Sequence, residues 1–345
     1  MSILPKIMAT SVMSIAFIAS SAPASFAAGS LEIRNFIGTV NWSNGPLLAT
    51  IEENAGDTQI SGRHDLTIDG LQKDIDGSEC KSSYGRFNVD WFGKKKSGQF
   101  GGFKGLEDLP ILKITVPENT KLILKNSILF TDGAPNIERA DLDLRHCGKV
   151  TLGNVAEEFA LDNRGSADVQ VGDTGQLVAS LKGSGDLTGG DSVDVLIKSQ
   201  GSADVDLGRI DGLELALHGS GDFSAQDVGS FVQLSSHGSG DIDLGNIDGN
   251  LSFTGHGSGD LEVGSVNGER LELESYGSGD VQIGGGHVQR VKAILRGSAT
   301  LEYSGEAGTA DLRTSGSGDI YINRVTGAAE TTATGSGDIE IDDRG

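Results

Sequence analysis

GSGDIDLGNIDGNLSFTGH, residues 238–256, decides how this chain folds. Ile242 and Leu244 alternate with Asp241, Asp243 and Gly245, and Leu251 and Phe253 alternate with Ser252 and Thr254. A period of two identifies strands with one buried face. Between them, Gly245-Asn246-Ile247-Asp248-Gly249 is a glycine-bounded turn that carries a single apolar residue. The same turn recurs at 208–212 and 264–268. Each unit is therefore two or three short strands joined by tight corners. No segment keeps a helical period.

The opening tetrapeptide, Gly-Ser-(Gly/Ala)-(Asp/Thr), occurs ten times, beginning at Gly165, Gly183, Gly201, Gly219, Gly238, Gly257, Gly277, Gly297, Gly316 and Gly335. The steps run from 18 to 20 residues. Units this regular bury their apolar faces by stacking on one another. The spacing predicts an all-β chain, a right-handed parallel β-helix with 18–20-residue coils, since parallel crossovers are overwhelmingly right-handed. Ile242, Leu244, Ile247, Leu251 and Phe253 should point inward, as should Val205, Leu207, Ile210, Leu215 and Leu217. Residues 165–345 contain no proline, which fits an uninterrupted backbone ladder.

Degenerate coils precede the motif. Leu112-Lys113-Ile114-Thr115-Val116-Pro117 and Lys121-Leu122-Ile123-Leu124 alternate in the same way, which places the repeat solenoid at 109–345. Residues 28–108 read as an N-terminal β segment, stacked on or beside the first coils, with an aromatic and basic insertion loop at 77–105. Residues 1–27 read as a signal peptide. Lys6 precedes an apolar stretch from Ile7 to Ala19, and Ala22-Pro23-Ala24 and Ser25-Phe26-Ala27 are small-residue cleavage sites. The chain is expected to be exported, to the periplasm, the cell surface or the medium, and not to span a membrane. Cys80 and Cys147 are its two cysteines, and an even pair in an oxidising compartment is expected to form a disulfide.

The net charge is −22, and residues 165–345 hold 10 basic against 29 acidic residues. Such a surface repels nucleic acid, which is not expected as a partner, and attracts cations. Within the motif, the first glycine is expected at a positive-φ corner, and the serines, Ser166 to Ser336, as a hydroxyl ladder between coils. Ten equivalent serines argue against a single nucleophile. Asp occupies the fourth place in nine copies, Thr300 being the exception. Turn capping is the plain role for these carboxylates, and a cation column through Asp222, Asp241 and Asp260 is the sharper one.

The residue before each motif forms another column: Arg164, Lys182, Gln200, His218, His237, His256, Tyr276, Arg296, Ser315 and Thr334. Three consecutive histidines could ligate a divalent transition metal or titrate together. They could equally be a plain surface ladder of planar side chains. In the insertion, Trp91, Phe92, Lys94, Lys95 and Lys96 combine aromatic and cationic groups that suit a glycan. The same segment could instead cap the end of the solenoid.

The strand at 112–117, followed by serial Gly-Ser-Gly-Asp-apolar-x-apolar units, resembles the head GIN domain of auto-transporter adhesins, most strongly over 165–345. That resemblance implies an exported bacterial β-solenoid acting as an adhesin or binding module of the cell envelope. Its partner would be an envelope glycan or protein, with self-association through the solenoid ends. No catalytic residue and no cofactor beyond a divalent cation are expected. Two other readings stand beside it, a calcium-binding repeat protein and a polysaccharide-processing β-helix enzyme. The enzyme needs a cleft walled by long loops, which units of 18–20 residues do not supply.

Overall fold

The computed structural model describes residues 29–53, 56–72, 75, 78–83, 86–91 and 109–345, with only the backbone of 78–91. The chain is a β-solenoid of about 12 turns with coils of ~19 residues, and among the described residues there is no α-helix. Successive coils pair in parallel. Thr174–Leu181, Ser192–Ser199, Ile210–Leu217 and Val228–Ser236 follow one another in one sheet. Leu187–Thr188, Val205–Leu207, Phe223–Ala225 and Ile242–Ile247 follow one another in a second. The registers match like with like: Leu215 lies beside Leu234, and Leu234 beside Phe253. All ten residues expected to face inward are buried, none more than 4% exposed. One apolar core runs from Leu31 to Val325. The alternation alone dictates this, because each inward side chain stacks on its counterpart one coil away.

At the N-terminal end, order in space departs from order in sequence. Ser30–Arg34 pairs in parallel with Leu66–Asp69 on one side and with Lys121–Lys125 on the other. Ile37–Asn44 lies in the same way between Ile111–Val116 and Ile128–Asp132. The first two strands are thus inserted within the stack as coils of the solenoid. Its outermost parallel strands are covered by antiparallel ones, Leu48–Glu53 on Ile111–Val116 and Gln59–Ser61 on Leu66–Asp69. This blunts an edge that could otherwise template further pairing.

The insertion at 77–105 is not irregular throughout. Ser78–Ser83 and Arg86–Trp91 form an antiparallel hairpin, with Ser83 opposite Arg86. At the C-terminal end, Ala329–Ala333 and Ile339–Arg344 are the last strands of the two sheets. Among the described residues, no helix is long and apolar enough to cross a membrane.

Candidate functional site

The motif builds one corner of every coil. Its Ser is exposed, its third residue buried in most coils and its Asp chiefly exposed, while the first Gly is half-buried. The reason for that glycine differs from the expectation. Only Gly335 among the ten has φ in the left-handed region. The others are needed because the coils approach too closely for a side chain. A Cβ on Gly219, Gly238 or Gly257 would lie 1.7 Å from the carbonyl oxygen of the motif glycine one coil earlier. That closeness serves a main-chain ladder: Ser220 N–H donates to Gly201, Ser239 to Gly219 and Ser258 to Gly238, each at 3.0 Å. Among the described residues, the motif hydroxyls make no hydrogen bond to one another, so the ladder is carried by the backbone and the hydroxyls point to solvent.

The aspartates do cap, and they cap across coils. The N–H groups of Asp204, Asp222, Asp241 and Asp260 each donate to Oδ1 of the preceding motif Asp at 2.9 Å. The run continues through Asp280 to Thr300 at 2.7 Å. A second ladder of this kind was not foreseen. Asn154 N–H donates to Oδ1 of Asn136, Asp173 to Asn154, and Asp191 to Asp173, at 2.8 to 3.0 Å. Its signal was visible as an Asn or Asp directly after the glycine in Gly153-Asn154, Gly172-Asp173 and Gly190-Asp191.

The column before the motif is a stack. His218 and His237 lie 4.8 Å apart between ring centres with planes 1° apart, and His237 and His256 lie 4.6 Å apart at 20°. Tyr276 continues the stack 4.6 Å beyond His256, and the Arg296 guanidinium carbon sits 5.0 Å from the Tyr276 ring centre. These separations equal the coil spacing of about 4.8 Å, so the backbone ladder sets the stacking. Ser235 Oγ lies 3.4 Å from His237 Nδ1. Partial burial between its neighbours, and then their like charge, holds the His237 imidazole below the usual range. Tyr276 donates to Glu274 at 3.0 Å, and Lys292 pairs with the same carboxylate at 2.7 Å. Those two bonds, Lys292 first, hold Glu274 below the usual carboxylate range.

Beside this column lies a shallow, nearly flat groove of about 1260 Å³. Motif glycines and serines from Gly165 to Ser317 form its floor, and Lys182, Gln200, His218 and His256 line its side. It crosses nine motif copies, or eight coil steps, about 38 Å. Among the described residues, no Asp or Glu lines it, in a chain that carries 49 of them.

The cation-ligand reading finds a different geometry. His218, His237 and His256 come together, but face to face, so the in-plane lone pairs of successive rings run parallel and do not converge on one point. Asp222, Asp241 and Asp260 have an oxygen engaged with the backbone. Among the described residues, no group of three or more His, Cys, Asp or Glu side chains could hold a metal ion. Of the insertion residues, Phe92, Lys94, Lys95 and Lys96 lie outside the described residues, as does the Trp91 side chain. Cys147, buried beside Ile37, Ile75, Leu109 and Ile128, is disulfide-bonded. The Cys80 side chain lies outside the described residues.

The family described as "Putative auto-transporter adhesin, head GIN domain" matches residues 194–307 and, in a second overlapping copy, 250–345. Residues 194–345 are thus similar to a head GIN domain. The groove runs across this region and extends beyond it to Gly165. No curated protein matches the chain. A solved structure described as "Putative lipid binding protein" from Parabacteroides distasonis covers 90% of this chain and 91% of its own, at 14% identity and a TM-score of 0.26. A likeness that distant carries no argument about a ligand.

Proposed function

We propose that this protein is a non-catalytic, exported binding module of the cell envelope, which holds an extended polymer along the glycine–serine groove of its GIN solenoid. The observation that carries this reading is the groove itself: about 38 Å of one repeated corner, with exposed hydroxyls on its floor and planar ring edges on its side. A periodic site suits a periodic ligand, because each added ligand unit meets the same glycine–serine floor one coil on. Catalysis by general acid and base needs paired titratable groups at one point of a cleft. This groove has no carboxylate among its lining residues, and its glycine–serine floor repeats from coil to coil. The family's adhesin description supports a binding role outside the cytoplasm. Signal-peptide cleavage after Ala27 is part of the proposal. A glycan array combined with a reducing-sugar release assay tests it. Binding without release is expected; release of reducing ends would replace the module by an enzyme.

A further inference from the structure

The groove's chemistry narrows the class of polymer. At the motif corner each serine N–H is already paired with a glycine carbonyl of the preceding coil, Ser220 with Gly201 and Ser239 with Gly219. A peptide therefore cannot add a strand there, and the glycine floor offers no pockets for alternate side chains. The faces of His237 and His256 are covered by their neighbours in the stack, so bases cannot stack on them. What remains is a row of hydroxyls and ring edges at a spacing of about 4.8 Å. That row can bond a hydroxyl-rich chain of sugars.

The donors also outnumber the acceptors on the groove's side. Lys182 offers three donors and no acceptor, and among the described residues it makes no ion pair. With no carboxylate in the lining, the complementary ligand is rich in acceptors, and the strongest acceptors on a glycan are carboxylate or sulfate groups. Elsewhere the protein's net charge of −22 repels such a chain, so this groove is where it can be held. A neutral imidazole edge gives one donor and one acceptor; a protonated one gives two donors and a positive charge.

Resting on the groove reading above, we propose that the ligand is an extended anionic glycan, held by Lys182 and by the edges of His218 and His256, and that protonation of the His218–His237–His256 stack tightens the hold. Without a ligand, neighbouring protonated rings 4.6–4.8 Å apart repel one another; an anion laid along their edges relieves this. The charged groups on the strands leading into the corner are Lys198 and Glu274, with Glu214 and Glu272 two residues further back. Leading out of the corner, Asp222, Asp241 and Asp260 lie directly before the next strands, which carry Asp243 and Glu262 two residues further on. Each of the Asp222, Asp241 and Asp260 carboxylates accepts a backbone N–H from the next coil at 2.8 or 2.9 Å, and Glu274 is paired with Lys292. Arg296 closes the far end over Tyr276. The imidazoles of the stack are thus the groups at this corner that can gain a positive charge as pH falls.

The mature chain is tested by biolayer interferometry against immobilised polygalacturonate, alginate and dextran sulfate, with methyl-esterified polygalacturonate and dextran as neutral counterparts. Expected is binding to an acidic polymer at pH 5.5, weakened about tenfold or more at pH 7.5. The neutral counterpart should bind more weakly at both values. The triple variant His218→Gln, His237→Gln, His256→Gln, checked by circular dichroism for retained β structure, should lose the pH dependence. In titrations by NMR, the acidic polymer should raise the His237 pKa. Equal binding of neutral and acidic partners, or a pH dependence that survives in the triple variant, overturns this inference and leaves the groove reading standing. No binding of any polymer at either pH overturns both.

Discussion

Replacing Gly219 by alanine would put a Cβ 1.7 Å from the Gly201 carbonyl oxygen and 2.8 Å from its carbon, both backbone atoms of the preceding coil. An unstrained contact needs roughly 3.3 Å, so the coils must part locally by about 1.5 Å. Three bonds at that corner span the gap: Ser220 N–H to Gly201 at 3.0 Å, His218 N–H to Ser199 at 2.8 Å, and Asp222 N–H to Asp204 Oδ1 at 2.9 Å. A stretch of that size breaks a hydrogen bond. At about 1 kcal/mol net for each bond, the loss is about 3 kcal/mol. Alanine recovers roughly 0.5 kcal/mol by restricting the unfolded chain, which leaves a loss of about 2.5 kcal/mol. Gly285 is the control, because a Cβ there meets nothing within 4 Å. Urea unfolding gives the global change, and hydrogen exchange at the Ser220 amide gives the local one, since a solenoid can open one coil without unfolding. A loss under about 1 kcal/mol, or equal losses for Gly219→Ala and Gly285→Ala, would refute the close-approach account.

The Asp222 carboxylate bonds a backbone N–H while stacked among like charges, so Asp222→Asn should be neutral or slightly stabilising, whereas Asp222→Ala should cost about 1 kcal/mol in urea unfolding. The Ser236 hydroxyl is buried without a hydrogen-bond partner, while Thr314 in the same column donates to Gly318 at 2.7 Å. Ser236→Thr should therefore gain about 1 kcal/mol and Ser236→Ala should lose nothing; a clear loss in the alanine variant would mean the hydroxyl is bonded. Because the folded state holds the His237 imidazole low, chiefly through burial, its protonation opposes folding. Stability should be level above the ordinary imidazole range and fall as pH drops through it, completing the fall below the lowered value. His237→Gln should flatten that part of the melting-temperature profile. We propose Cys80 as the partner of Cys147; peptide mapping without reductant should recover the cross-linked pair, and reduction should cost about 2–4 kcal/mol.

The parts legible in the sequence were those fixed by period. Alternation within a unit named the inward residues, and the 18–20-residue step placed His218, His237 and His256 on one line. The first glycine of the motif was legible as a requirement, but its cause was not. Intolerance of a Cβ looks the same in sequence whether it arises from positive φ or from a neighbouring carbonyl 1.7 Å away. The serines were misread for a related reason: a column of hydroxyls in register bonds only if the side chains lie along the axis, and here they project outward. The insertion of Ser30–Arg34 between Leu66–Asp69 and Lys121–Lys125 leaves no local trace, because stacking order is a long-range choice among strands with the same alternation.

The inter-coil bonds also fix how the molecule would answer to tension. In a solenoid they run along the long axis, so a pull between its two ends loads all the bonds of one coil side by side and the coils one after another. The force at yield is then that of the weakest coil, however many coils there are. Ile339–Arg344 and then Ala329–Ala333, both largely exposed, are where peeling would begin. Each coil of ~19 residues that leaves the stack pays out about 60 Å of extended chain. Stretched by its ends, the protein would lengthen in even steps of that size and would keep the remaining groove in register while it does so.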